Sequence, residues 1–154
     1  MRSQGEIEAQ VCDGISRFQQ EFLGRGPRDI HAHVVGPMVL VRLQGVLTPA
    51  ERRLVTVSVG DQDPAAGAAV PGHNGHNGHN GHAVGMENGN GRSLLKQVRA
   101  HVVAAGRPRL REIIEQATGV ALVSVHHDIS TLTGEEVIVF SLATPPACRT
   151  KRNT

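Results

Sequence analysis

Residues 58–91 read SVGDQDPAAGAAVPGHNGHNGHNGHAVGMENGNG, a stretch that no packed core can absorb. Glycine loses the most backbone freedom on ordering, and almost nothing here is apolar enough to offset that loss. The segment is expected to be a disordered, low-complexity insert. It confines the folding problem to two blocks, about 3–57 and 92–144, which must share one core in a single domain spanning 1–154. Together they are long enough for a modest core without disulfide or metal staples. With Phe18, Phe22 and Phe140 the only aromatics apart from histidine, that core must be aliphatic.

Each block reads as helix, glycine stop, strand, turn, strand. Ser3 and Glu6 form a capping-box pattern, and Ile7, Val11, Ile15, Phe18 and Phe22 follow along one helical stripe until Gly24. Two β-branched runs, 29–35 and 38–44, flank Gly36-Pro37 and read as a hairpin. Ile30, Ala32 and Val34 share one face of its first strand, and His31 and His33 the other. Thr48, Pro49 and Glu51 start a short second helix, running to about residue 56. Beyond the insert, Leu94, Val98, Val102 and Ala105 step along a helical face, with Leu95 beside it. Pro108 should kink or split that helix before Leu110, Ile113, Ile114 and Ala117 continue to Gly119. A second hairpin, 120–129 and 135–142, turns around Thr133-Gly134. Residues 145–154 form a patternless basic tail, expected to fray. The fold class is therefore α+β: two αββ units forming a small, mainly antiparallel sheet packed by helices. Internal duplication and coincidence of a common unit both account for the repetition.

Charge and cysteine usage exclude little. A net charge of +2 does not by itself imply a nucleic-acid binder. Cys12 and Cys148 form no disulfide framework, which favours a reducing, cytoplasmic setting. The polar N-terminus lacks the apolar core of a signal peptide, and no apolar run approaches the ~18–20 residues of a membrane span.

His126-His127-Asp128 is the sharpest chemical candidate. Strand alternation sends His127 to the face of Val123, Val125 and Ile129, and sends His126 and Asp128 to that of Leu122 and Ser124. A His-x-Asp pair on one face can orient an imidazole for proton transfer. With His31 and His33 on a neighbouring strand it can bind a divalent metal. The preferred reading is plainer: a hydrogen-bonded core His127 and a solvent-facing His126. Glu135 and Glu136 project to opposite faces, and one of them can approach the strand of His126 and Asp128, or simply form a salt bridge. Arg25 and Arg28, in the helix-stop turn, are candidate anion ligands. Arg92, Lys96, Arg99, Arg107, Arg109 and Arg111 make a basic face, read first as solvated and otherwise as a site for phosphate or acidic partners. No aromatics interleave it as a base-stacking platform. His73, His76, His79 and His82 in the insert are weak, unselective metal ligands at best.

GEIEAQVCDGISRFQQEFLGRGPRDIHAHVVG, VRLQGVLTPAERRLV, LLKQVR and TGVALVSVHHDISTLTGEEVIVFSL resemble the bacterial MpsC-like family, long catalogued as a domain of unknown function. Its name refers to a component of a Na+-translocating, membrane-potential-generating system. The most specific pieces are Gly24-Arg25-Gly26-Pro27, 43–48, 126–129 and 133–136. The resemblance brings no catalytic residues and no cofactor. It implies a non-enzymatic accessory or regulatory protein linked to membrane ion or inorganic-carbon transport, with a protein partner from that system. A homo-oligomer is also expected, because short hairpins leave open sheet edges. A small metal- or anion-dependent enzyme using His126 and Asp128 is the main alternative, and a nucleic-acid-binding regulator the third. Because the insert buries so little, joining its flanks after deleting 60–90 should leave the melting temperature nearly unchanged. A loss of several kcal/mol in denaturant titration would show that it packs.

Overall fold

In the computed structural model, residues 1–57 and 91–149 are described. The order of elements is α1 (Gln4–Leu23), β1 (Asp29–Val35), β2 (Met38–Gln44), α2 (Pro49–Val57), α3 (Gly91–Ala105), α4 (Arg107–Thr118), β3 (Leu122–Ile129) and β4 (Glu136–Leu142). The 58–90 part of the expected insert, its four histidines, and 150–154 of the tail lie outside the described residues.

Local chemistry sets the boundaries. Ser3 and Glu6 close a reciprocal capping box, with Ser3 N donating to Glu6 Oε2 at 2.6 Å. The Glu6 carboxyl is held below the usual range, first by that backbone N–H and then by the Ser3 hydroxyl. Gly24, at φ 74°, stops α1 and donates its N–H to Gln20 O. Thr48 and Glu51 repeat the device for α2: Thr48 N donates to Glu51 Oε2 (2.8 Å) and Glu51 N to Thr48 Oγ1 (3.2 Å). The expected split near Pro108 occurs at Gly106, between α3 and α4. The Phe18 ring lies against Gly106 so closely that a Cβ there would collide with it.

The four strands form one antiparallel sheet in the order β1-β2-β4-β3. Each hairpin thus contributes its second strand to the centre and its first to an edge. Helix α1 packs on β1 and α4, α4 also reaches β3, and α3 packs on β3 and α2. The units α1-β1-β2 and α4-β3-β4 match the expected αββ pattern, with α2 and α3 lying between them in sequence. The core between helices and sheet is aliphatic apart from Phe18 and Phe140. The helices also reach the sheet edges. Glu8 of α1 accepts from Val34 N on β1, and Glu115 of α4 from Leu122 N on β3, both at 2.9 Å. Those carboxylates blunt both edges against strand addition at these positions.

Three local expectations change. A β-bulge between Leu122 and Ser124 shifts the alternation of β3. Leu122 is buried and Val123 is 60% exposed, the reverse of a regular strand. In α3 the buried positions are Leu95 and Arg99, while Leu94 and Val98 are exposed. The helix is thus rotated from the expected apolar stripe. Finally, residues 145–149 dock on the N-terminus instead of fraying. Arg149 N donates to Arg2 O and Pro146 is buried. Arg2 itself donates to Gln116 O and Ala117 O at the end of α4, where carbonyls lack helical partners.

The cap of α2 gives a simple test. Thr48→Ala should destabilise by ~1 kcal/mol in urea titration. Arg52→Ala, removing a side chain without a described partner, should stay within about 0.5 kcal/mol. Equal losses would refute the capping role.

Candidate functional site

The histidines divide between two environments. His31, His33, His126 and Asp128 all lie on the sheet face away from the helices and are exposed. Register aligns them in rows across the strands: His33–Leu40–Val139–His126, and His31–Arg42–Val137–Asp128. Two strands separate the β1 histidines from His126 and Asp128, a span of ~14 Å at the usual strand spacing. They share a face without converging. Three of them find separate partners: His31 Nε2 lies 3.1 Å from Asp29 Oδ2, and His126 Nε2 3.2 Å from Ser124 Oγ. Asp128 accepts from Lys96 Nζ of α3 at 3.0 Å. That bond, followed by one from the Ile129 N–H, holds the Asp128 carboxyl below the usual range. Among the described residues, no three His, Cys, Asp or Glu side chains gather as a metal site.

His127 points the other way, into a buried ion cluster. Its Nε2 is 2.7 Å from Glu136 Oε1, and its side chain is 8% exposed. Glu136 also faces Arg99 Nη1 (3.3 Å to Oε2) and Gln19 Nε2 (3.3 and 3.4 Å). Arg99 grips Glu51 with two nitrogens, Nε to Oε1 at 3.1 Å and Nη2 to Oε2 at 2.8 Å. Arg99 Nη2 donates to Val46 O at 2.8 Å, and Nη1 to Gln19 Oε1 at 3.3 Å. Arg99, Glu136 and Gln19 are each 1% exposed. The cluster ties α1, the β2–α2 connection, α2, α3, β3 and β4 into one knot.

Helical spacing puts Arg99 on the expected basic outer face and gives Gln19 no role, whereas both lie in the core. Faint signals existed. Glu136 is in phase with Ile138, Phe140 and Leu142, so period-two alternation places it inside. Arg99 falls four residues after Leu95, on the same helical face. The remaining basic face is largely paired: Lys96 with Asp128, Arg109 with Glu112 and Glu21, and Arg111 with Glu115. Of the two turn arginines, Arg25 donates to Leu47 O at 3.1 Å. Arg28 faces a surface cleft.

These features define a class: a small α+β domain with a one-sided antiparallel sheet, its strongest ionic cluster closed within the core. The chain belongs to the MpsC family. That family's profile, described as Na+-translocating membrane potential-generating system (MpsC), matches residues 3–62 and 85–144. The uncharacterized protein YbcI of Bacillus subtilis (strain 168) is 30% identical over 141 residues, covering 92% of this chain and 89% of YbcI. No solved structure matches.

A buried guanidinium and its carboxylates stand or fall together. Arg99→Met should cost ~3–5 kcal/mol by leaving Glu136 and Glu51 uncompensated. Adding Glu136→Gln and Glu51→Gln should recover part of that loss, because the unpaired charges go too. Urea midpoints of the single and triple variants check this. A triple variant no more stable than Arg99→Met would rule out charge compensation as the main role.

Proposed function

We propose that the chain is a non-enzymatic accessory or regulatory subunit, acting by protein contact on a membrane ion-transport system from the cytoplasmic side. The observation that carries this reading is the division of polar chemistry in the fold. The densest ionic cluster is closed on itself in the core, whereas the sheet face away from the helices carries a half-buried apolar pair on its central strands, with Arg42 beside it and polar flanks. Leu40 and Val139 pair across β2 and β4, flanked by His33 and His126 at the two edges. An apolar centre with a polar rim is the usual make-up of a protein interface. The family description supports the transport link. Among the described residues no helix is long and apolar enough to cross a membrane, so a membrane role there would run through a contact. Two free thiols, Cys12 and Cys148, accord with a reducing compartment, and burial raises the Cys12 thiol above its ordinary value.

The test is co-purification after in-cell crosslinking, comparing the native chain with a Leu40→Asp/Val139→Asp variant whose circular dichroism and melting match it. The native chain should retain an integral-membrane transport component that the variant loses. Recovery of the same component by both forms would remove this face from the function. A native chain crosslinked to no membrane protein would refute the accessory reading itself.

A further inference from the structure

A surface cleft of about 490 Å³ opens between the start of β1, the end of β2, α2 and the β3–β4 turn. That volume is within the usual range of small-ligand sites. Two guanidiniums line it, Arg28 before β1 and Arg52 on α2. Neither head has a hydrogen-bond or ion-pair partner among the described residues. The acid lining the cleft, Glu135, is already bound by Arg42, through Nη2 at 2.7 Å and Nε at 2.9 Å. Both contacts fall on Oε2, and neither Arg28 nor Arg52 is bonded to this carboxylate. Thr131 also lines this space, its side chain without a described hydrogen bond.

The backbone holds both arginines in place while leaving their heads free. Arg28 N donates to Gln44 O at 2.9 Å. The Arg28 stem lies against Gly45, which sits at φ 66° where a Cβ would run into Arg28 Cβ. Any larger residue there would displace the arginine as well as strain the turn. Arg52 rises from the first turn of α2, held by the Thr48–Glu51 box and by the grip of Glu51 on Arg99. Two anchored guanidiniums with a hydroxyl nearby suit a multivalent oxyanion, because each fork can donate two N–H bonds. A carboxylate offers only two oxygens to share between them, whereas a phosphate offers three. No aromatic side chain lines the cleft, so a nucleobase would find no stacking surface.

We propose that this cleft binds a phosphate-bearing anion between Arg28 and Arg52. The proposal is independent of the accessory reading and concerns a different surface. Phosphate of this kind comes either from a free phosphate monoester or from an anionic phospholipid headgroup. Leu132, 81% exposed at the cleft, would enter the acyl boundary in the second case.

The experiment titrates the full-length chain, in phosphate- and sulfate-free buffer, with glycerol 3-phosphate and separately with phosphatidylcholine vesicles with and without phosphatidic acid. Amide chemical shifts and vesicle co-sedimentation are the readouts. At least one phosphate probe should bind and move the amides of 44–47 and 131–135. Arg28→Gln and Arg52→Gln should each weaken binding about tenfold or more, while Arg53→Gln, a neighbour outside the cleft, should not. Binding to glycerol 3-phosphate identifies a soluble ligand. Binding only to phosphatidic acid vesicles, reduced by Leu132→Ser, identifies the headgroup. Binding of neither probe, shifts elsewhere, or equal weakening by Arg53→Gln would each overturn the proposal.

Discussion

Removing a guanidinium from water costs several kcal/mol, and Arg99 is as buried as the aliphatic core around it. The arrangement is tolerable only because Glu51, Glu136, Gln19 and the Val46 carbonyl all meet it. Those partners come from elements far apart in the chain, so their positions are mutually constrained. Helix α3 must turn its Arg99 side inward, exposing Leu94 and Val98. Helix α2 must present Glu51, which simultaneously caps its own first turn. The cluster links the two αββ units at the level where α1, β3 and β4 approach one another. A wholly apolar replacement could be as stable, but would not demand this one arrangement.

The sheet is asymmetric in chemistry as well as in covering. Its helix-facing side holds the core and the ion cluster, with His127 as the inward member of the His126-His127-Asp128 run. The opposite side carries His31, His33, His126 and Asp128 in rows across all four strands. One pleated strand thus sends adjacent histidines to opposite environments, one into the buried ion cluster and one onto the exposed face. Glu8 and Glu115 blunt the two sheet edges at Val34 and Leu122, while the face away from the helices is left uncovered by them.

Much of the local structure was legible in the residues. The capping boxes at Ser3 and Thr48, the glycine stops at Gly24 and Gly119, and the hairpin turn at Gly36-Pro37 appear where short-range chemistry puts them. Alternation along β4 is a signal for Glu136 inside, yet the residues by themselves leave Glu135 and Glu136 undecided. The candidate site was less legible. Alternation sets His31 and His33 opposite the apolar face of β1 and keeps His126 with Asp128, but it groups those two with Leu122, which the bulge turns inward, and it cannot reveal that two strands stand between the pairs. Sheet order is a long-range property, and adjacent hairpins can join by any of their edges.

Sequence by itself determined the α+β class, the paired αββ units and most boundaries, because caps, turns and periodicity act within a few residues. Tertiary structure alone decided the β1-β2-β4-β3 order, the bulge at Leu122 and the inward rotation of α3. It also decided that Arg99 is a core residue while Arg28 and Arg52 face a cleft. An arginine has the same composition and local propensity in either place. Its role depends on whether carboxylates from distant segments arrive to meet it, and that is settled only when the whole core closes.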